Sequence, residues 1–218
     1  KLTPILPPVD LPAPLPGAVA AFASTHETKS RRPVIGMATR FASEKGVEIL
    51  LEALPKVLEK YPPAQVLFAG QYQNVMGEQN YFARLQPLIQ QYESSGHWKF
   101  LGNLDLEKMA AYYPNLDVLV VPSLNSTEAF GLVQIEAMMN GVPCIASALP
   151  GVRRPTQMHN MGEIVPIGDS SALAEALLKV LSSRKNYKID PTELKRIYDP
   201  DSVAAEYEKL FAKLMGKK

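Results

Sequence analysis

The segment from Val118 to Ser147 constrains the fold more than any other part of the chain. Its first four residues, Val118 to Val121, are apolar and rich in β-branched side chains, which is typical of a strand buried on both faces of a parallel sheet. Pro122 ends this strand, and small polar residues follow it. Apolar residues at helical spacing then lead to Gly141-Val142-Pro143, a helix stop, and to an apolar strand at 143–147. The segment predicts a strand, a polar loop, a helix and a second strand.

Two glutamates bracket the junction between this loop and the helix. Glu128 stands just before the predicted helix and Glu136 about one turn inside it, with Phe130-Gly131-Leu132 between them. Backbone N–H groups at a helix start favour phosphate, and a glycine lets a ligand approach the backbone closely. Carboxylates on either side accept hydrogen bonds from sugar hydroxyls. The combination therefore suits a nucleotide sugar better than a bare nucleotide.

The run from Glu128 to Pro143, EAFGLVQIEAMMNGVP, resembles the E-x7-E signature of retaining glycosyltransferases with the GT-B fold, a family that includes glycogen, starch and sucrose synthases. The resemblance covers about residues 33 to 215. It implies that the chain is the carboxy-terminal, donor-binding half of such an enzyme. Glu128 would hold the transferred sugar, Glu136 would hold the ribose hydroxyls, and the backbone at Phe130, Gly131 and Leu132 would clamp the diphosphate.

A basic loop follows the first clear strand, at 33–38. Its sequence from Thr39 to Gly46 resembles the G-R-x-x-x-x-K-G element of the family, with Thr39 in place of the usual glycine. The resemblance implies that Arg40 and Lys45 hold the donor diphosphate and have a catalytic role with Glu128. A departing diphosphate gains negative charge, so fixed cations stabilise the transition state more than the ground state.

Two further elements resemble the family less closely. Phe100-Leu101-Gly102 matches an element that lies near the nucleotide base, which makes Phe100 and Gly102 candidate donor-binding residues; a plain strand end with a glycine turn explains it equally well. The segment 149–155 stands where relatives have a glycine-rich turn and an acidic residue. Gly151 fits and the acidic residue is absent, so a contact from Arg153 or Arg154 stays open.

Alternation of apolar runs and helical stripes continues along the chain. Strands are predicted at 33–38, 66–69, 98–101, 118–121, 143–147 and 161–166, and helices follow at about 47–60, 79–92, 106–113, 172–184, 191–198 and 201–215. This pattern predicts an α/β fold with a doubly wound parallel sheet of about six strands, Rossmann-like. No G-x-G-x-x-G motif, P-loop or metal-ligand spacing of Cys and His occurs in the sequence.

The first 32 residues differ in composition from the rest. Six prolines within residues 1–16 favour extended backbone, and residues 17–30 are small and polar, with a helical piece as an open alternative. We predict a Pro-rich interdomain linker at 1–32 and a nucleotide-sugar-binding domain at 33–218. The resemblance implies an amino-terminal acceptor domain before residue 1, without which this domain is predicted to be inactive or nearly so.

Composition excludes some classes of partner. The chain has 23 basic and 22 acidic side chains, which predicts neither nucleic acid nor a strongly anionic membrane as the ligand. No apolar run approaches the length of a transmembrane helix, and the single cysteine, Cys144, is interpreted as a core residue of a protein from a reducing compartment. We therefore expect a cytoplasmic protein.

The resemblance also implies the chemistry and the ligands. It implies attack by an acceptor hydroxyl on a UDP- or GDP-linked sugar, with retention, no cofactor and no required metal. The acceptor is a glycan, a lipid or a small molecule. The resemblance implies that the amino-terminal domain binds this acceptor and makes any peripheral membrane contact. Two alternatives stay open: a sugar-nucleotide epimerase of the GT-B class, and a non-catalytic nucleotide-binding module in which the glutamates serve packing and solubility.

Overall fold

The computed structural model describes residues 3–216, and within them it shows one six-stranded sheet whose neighbouring strands all run parallel. Its strands are β1 (Val34–Ala38), β2 (Gln65–Ala69), β3 (Trp98–Gly102), β4 (Val118–Val121), β5 (Cys144–Ser147) and β6 (Gly162–Val165). The order across the sheet is β3-β2-β1-β4-β5-β6. The chain therefore winds outward in one direction from β1 and in the other from β4, and the switch point lies between these two strands.

Helices connect successive strands and complete the carboxyl-terminal part. They are α1 (Pro16–Thr25), α2 (Val47–Lys60), α3 (Gln79–Ser94), α4 (Leu106–Tyr112), α5 (Leu132–Met138), α6 (Arg153–His159), α7 (Ser170–Ser182), α8 (Pro191–Tyr198) and α9 (Pro200–Leu214). Short 3₁₀ helices lie at Ser43–Lys45, Tyr113–Asn115 and Arg184–Asn186. Asp105 and Asp169 accept hydrogen bonds from backbone N–H groups at the starts of α4 and α7, as N-cap residues do.

The helices cover both faces of the sheet. Helices α2, α3 and α7 enclose one apolar cluster, and α1, α4, α5 and α8 enclose the other. Side chains of the central strands alternate between them: Ile35 and Val118 enter the first cluster, whereas Val34 and Leu119 enter the second. The all-apolar sequence of β4 follows from this arrangement, because each face of the sheet is buried.

The predicted fold class is confirmed, and most element bounds differ from the predicted ones by only one or two residues. Pro55 lies on the exposed side of α2, which continues through it. One predicted turn has more structure than expected, since helix α6 begins at Arg153, directly after the turn at Gly151. Arg153 and Arg154 are exposed, so both face solvent.

The part of the predicted linker that the structure describes, residues 3–32, packs against the domain. The possible helical piece at 17–30 is α1, which begins at Pro16 and buries Phe22. The N–H of Val9 donates to the carbonyl of Tyr198 at 2.8 Å, and the hydroxyl of Thr28 donates to Asn115 at 2.7 Å. These contacts tie the segment to α8 and to the short helix after α4. Residues 1–2 and 217–218 of the predicted ranges lie outside the described residues.

Candidate active site at the switch point

A cleft of about 410 Å³ opens at the carboxyl ends of β1 and β4, which is the edge where doubly wound sheets bind their ligands. We call it the switch-point cleft. Its walls come from the ends of the two strands, the loops that follow them, the first turn of α5 and one proline of the amino-terminal segment. The lining residues are Pro7, Met37, Ala38, Thr39, Lys45, Val120, Val121, Pro122, Ser123, Thr127, Glu128, Ala129, Phe130, Gly131, Leu132 and Val133.

Lys45 and Glu128 form an ion pair in this cleft. The Nζ of Lys45 lies 2.8 Å from Oε2 of Glu128, although the two residues are 83 positions apart in the chain. The side chains are 13% and 24% exposed, so solvent screens the pair only in part. The pair places one cation and one carboxylate, two of the predicted catalytic residues, side by side in the cleft.

Close backbone packing brings together the loop after β1, which carries Lys45, and the loop after β4, which carries Glu128. Gly46 has a φ of 70°, and a Cβ there would lie 2.1 Å from the carbonyl oxygen of Pro122, so only glycine fits. The N–H of Leu124 donates to the carbonyl of Glu44 at 2.8 Å. The loops after β1 and β4 are therefore held against each other on both sides of Lys45.

Arg40, the third predicted catalytic residue, does not line the cleft. Its guanidinium bonds to the carboxylate of Glu44, one helical turn along the same loop, and its side chain is 52% exposed. The structure thus brings Lys45 to Glu128 and leaves Arg40 outside the cleft, paired locally.

The predicted Phe130-Gly131-Leu132 turn lines the cleft as a unit. Gly131 has a φ of 78°, the left-handed conformation that L side chains rarely adopt, and α5 begins at the next residue. The buried amide of Gln134 donates to the carbonyl oxygens of Phe130 at 3.3 Å and Val152 at 2.8 Å. This side chain therefore fixes the turn against the segment that leads into α6.

Gly151 supports the same loop from below. A Cβ at Gly151 would lie 1.9 Å from the carbonyl oxygen of Ala129, between Glu128 and Phe130 in the sequence. Close contact of the two backbones is therefore possible only with glycine. Gly151 and Gln134 together support the loop that carries Glu128.

Glu136 lies beside the cleft and does not line it. It is half-buried on α5, and its carboxylate accepts a hydrogen bond from the hydroxyl of Tyr113. Burial raises the pKa of the Glu136 carboxyl, and the Tyr113 hydrogen bond partly opposes that rise. Burial, followed by the nearby charge of Glu136, raises the pKa of the Tyr113 phenol well above its usual range.

Phe100 and Gly102 also lie outside the lining of the switch-point cleft. The ring of Phe100 stacks on Tyr72, with ring centroids 4.0 Å apart, in an aromatic group beside α3. Gly102 closes β3 and accepts a hydrogen bond from the N–H of Gly70 at 2.8 Å. Both positions agree with the plain interpretation of a strand end, and the role in base binding stays a prediction.

Several residues of the site were not identified from the sequence. Pro7 reaches the cleft from far along the chain, Ser123 is 1% exposed in its wall, and Tyr113 binds Glu136. Ser123 belongs to the polar loop predicted after β4, whereas no local pattern marks Pro7 or Tyr113, because the chain fold alone brings them to the site. Within residues 3–216, no group of three or more His, Cys, Asp or Glu side chains is arranged to hold a metal ion. Helices in that range are all too short or too polar to span a bilayer.

The sheet order and the cleft at its switch point define a doubly wound, Rossmann-like domain. Residues 21–191 match the family model described as "Glycosyl transferases group 1". Because this match covers more than half of the chain, the chain belongs to the glycosyl transferases group 1 family.

Individual relatives agree with this assignment. The chain is 34% identical over 170 residues to a phosphatidyl-myo-inositol mannosyltransferase of Mycobacterium leprae, and the match covers 77% of this chain and 42% of that protein. The chain is also similar to a sucrose-phosphate synthase structure from Thermosynechococcus elongatus, with a TM-score of 0.79 and 28% identity over 98% of this chain and 53% of the other.

A third relative shows the fold alone. The Anabaena HepE structure in complex with UDP and glucose has a TM-score of 0.75 and 20% identity, and the likeness covers 91% of this chain and 52% of that one. The chain therefore spans about half the length of the relatives it matches.

Proposed function

We propose that this chain is the donor-binding domain of a retaining hexosyltransferase, which transfers a sugar from a nucleotide diphosphate to an acceptor hydroxyl. The observation that carries the proposal is the Lys45–Glu128 ion pair, at 2.8 Å, in a cleft at the switch point. A nucleotide sugar offers a partner to each member of this pair. Its diphosphate needs a cation, and its sugar hydroxyls need an acceptor.

Donor binding exchanges partners within the ion pair. Lys45 leaves Glu128 for the diphosphate, and the freed carboxylate of Glu128 accepts hydrogen bonds from the hexose. The backbone N–H groups of the turn at Gly131 and Leu132 complete the diphosphate clamp. Because both charges find new partners, the exchange leaves neither charge unpaired in a partly buried site.

The same groups assist departure of the nucleotide. Negative charge grows on the leaving diphosphate as its bond to the anomeric carbon breaks, and Lys45 stabilises that charge more strongly as it develops. Arg40 adds a second cation once it leaves Glu44. In this scheme the two side chains supply the positive charge, no metal ion or cofactor is required, and EDTA leaves donor binding unchanged.

In this scheme Glu136, which lies beside the cleft, accepts hydrogen bonds from the ribose hydroxyls. Its contact with Tyr113 holds the carboxylate in one orientation, which reduces the entropy lost on binding. In this scheme the residues that bind the acceptor belong to an amino-terminal domain. For that reason, the 218-residue chain binds donor and transfers sugar slowly or not at all.

Glu128→Gln provides the test, because it has opposite effects on two ligands. Removing the charge frees Lys45 from its ion pair, so UDP or GDP binds as tightly as to wild type, or more tightly. The matching nucleotide sugar loses a charged acceptor and binds about tenfold more weakly. Calorimetric titration measures the affinity of Glu128→Gln for each of the two ligands.

Lys56 and Glu175 offer a matched control for this test. They form an exposed ion pair at 3.2 Å, remote from the cleft, so Glu175→Gln makes the same chemical change without altering either affinity. Equal losses of nucleotide and nucleotide sugar in Glu128→Gln would contradict the assignment of Glu128 to the sugar.

A further inference from the structure

A second cleft, of about 280 Å³, lies at the opposite edge of the sheet. Its lining residues directly precede β1 and β4 or lie near the carboxyl-terminal ends of α2 and α7: they are Arg32, Pro33, Tyr61, Asp117, Leu181 and Arg184. We call it the basal cleft. It shares no lining residue with the switch-point cleft.

Positive charge exceeds negative charge among these lining residues. The Nη2 of Arg32 and the Nη1 of Arg184 lie 2.5 Å and 2.6 Å from the same oxygen, Oδ1 of Asp117. The other oxygen of Asp117 accepts a hydrogen bond from the N–H of Val34 at 2.7 Å. One carboxylate thus serves two guanidinium groups and a backbone donor, and the two cations are held close together with one charge uncompensated.

Both arginines retain donors for a further ligand. A guanidinium has five N–H donors in a planar fork that matches two oxygens of a phosphate. Among the described residues, Arg184 donates only through Nη1, and Arg32 donates through its two terminal nitrogens to Asp117 and to the carbonyl of Thr28. Their side chains are 36% and 41% exposed, so the remaining donors are accessible.

The rest of the basal cleft suits the body of a small ligand. Tyr61 and Leu181 supply an aromatic and an aliphatic wall, and the Nζ of Lys60 lies 5.8 Å from the centre of the Tyr61 ring. Lys60 therefore adds positive charge next to the Tyr61 wall. A ligand with one phosphate and a compact organic part matches both the charge and the size.

We propose that the basal cleft binds a phosphate monoester, with Arg32 and Arg184 as its ligands. The phosphate offsets the excess positive charge and joins Arg32, from the segment before β1, to Arg184, from the turn after α7. Binding therefore stabilises the junction between the amino-terminal segment and the domain. The proposal does not depend on the donor site, because the two clefts are separate.

Titration of the ¹⁵N-labelled 218-residue chain with inorganic phosphate and with glycerol 3-phosphate tests the proposal, with backbone amide shifts as the readout. We expect saturable shifts at Tyr61 and Leu181 that persist in Lys45→Gln, which removes the cation of the switch-point cleft. Arg184→Gln weakens this binding at least tenfold. Arg184→Lys, which keeps the charge and loses the fork, weakens it less.

Arg84 supplies the matched control. It is an exposed arginine that pairs one-to-one with Glu48 at 2.5 Å, outside both clefts, so Arg84→Gln leaves the shifts at the basal cleft unchanged.

Cosedimentation with phosphatidate vesicles, lost in Arg184→Gln, identifies a lipid headgroup as the source of the phosphate. Binding only of the soluble esters identifies a metabolite. Absence of saturable shifts at Tyr61 and Leu181, or equal affinity in Arg184→Gln and Arg84→Gln, overturns the proposal.

Discussion

One group of ion pairs lies at the amino ends of β1 and β4, and another ion pair lies at their carboxyl ends. The two differ in which parts of the chain they connect. At the amino ends, Asp117 binds two arginines and the N–H of Val34, so its carboxylate joins the segment before β1, the turn after α7 and the sheet itself. At the carboxyl ends, Lys45 and Glu128 join two loops through one contact. The comparison indicates that Asp117 links three parts of the fold, whereas Lys45 and Glu128 form a single contact whose members exchange partners in the proposed function.

Asp117→Asn should have the largest effect on stability. It removes the charge that two guanidinium groups share, while the side chain is 11% exposed, so we expect a loss of about 2–3 kcal/mol in the free energy of unfolding. Urea unfolding with an unchanged m-value measures it. Glu128→Gln at the other end should cost less, because it breaks one contact and leaves one cation without its partner, where Asp117→Asn leaves two. Similar losses at the two ends would break the distinction between them.

Gly131→Ala should have an intermediate effect. Left-handed backbone costs an L residue about 1–2 kcal/mol, and the new Cβ would lie 2.6 Å from Nε2 in the side chain of Gln134. Gly141 gives the matched control, because its φ is 70° and a Cβ added there would meet no atom within 4 Å. We expect Gly141→Ala to carry the backbone cost alone and to keep nucleotide affinity, which Gly131→Ala reduces. Equal affinities in the two variants would show that the turn is not part of the site.

Glu136→Gln should have the smallest effect, and it should depend on pH. Because burial raises the pKa of Glu136 in the folded chain, its stabilising contribution is present below the pKa of the unfolded chain and is lost as pH rises through the folded pKa. The melting temperature of Glu136→Gln relative to wild type should therefore rise between pH 4 and pH 7. A difference that stays constant across this range would contradict the assigned burial effect.

Local pattern predicted the fold well where one stretch of sequence determines the structure. The apolar run of β4 and the helical spacing that marks α5 both follow from neighbouring residues, and the structure confirms them. Helix α1 is harder to predict, because Phe22 and Ala23 are its buried residues and no apolar stripe marks it. Its position depends on distant partners, including Asn115, which donates to the carbonyl of Val19.

The site was harder to predict than the fold, because its contacts join distant parts of the chain. Lys45 and Glu128 were each identified from the sequence, but their pairing depends on the packing of Gly46 against Pro122. Arg40 was predicted to hold the diphosphate together with Lys45, and its pairing with Glu44 was not predicted. The assigned roles of these side chains remain predictions, and ligand binding can decide them.

The central claim is that Lys45 holds the diphosphate of a nucleotide sugar, and calorimetric titration with UDP, GDP and ADP tests it most directly. We predict saturable binding of one nucleotide, weakened about 10- to 100-fold in Lys45→Gln, because a charge-assisted bond to phosphate contributes about 1.5–3 kcal/mol. Lys56→Gln, the same change in an exposed pair, should bind like wild type. Equal nucleotide affinity in Lys45→Gln, Lys56→Gln and wild type would contradict the account.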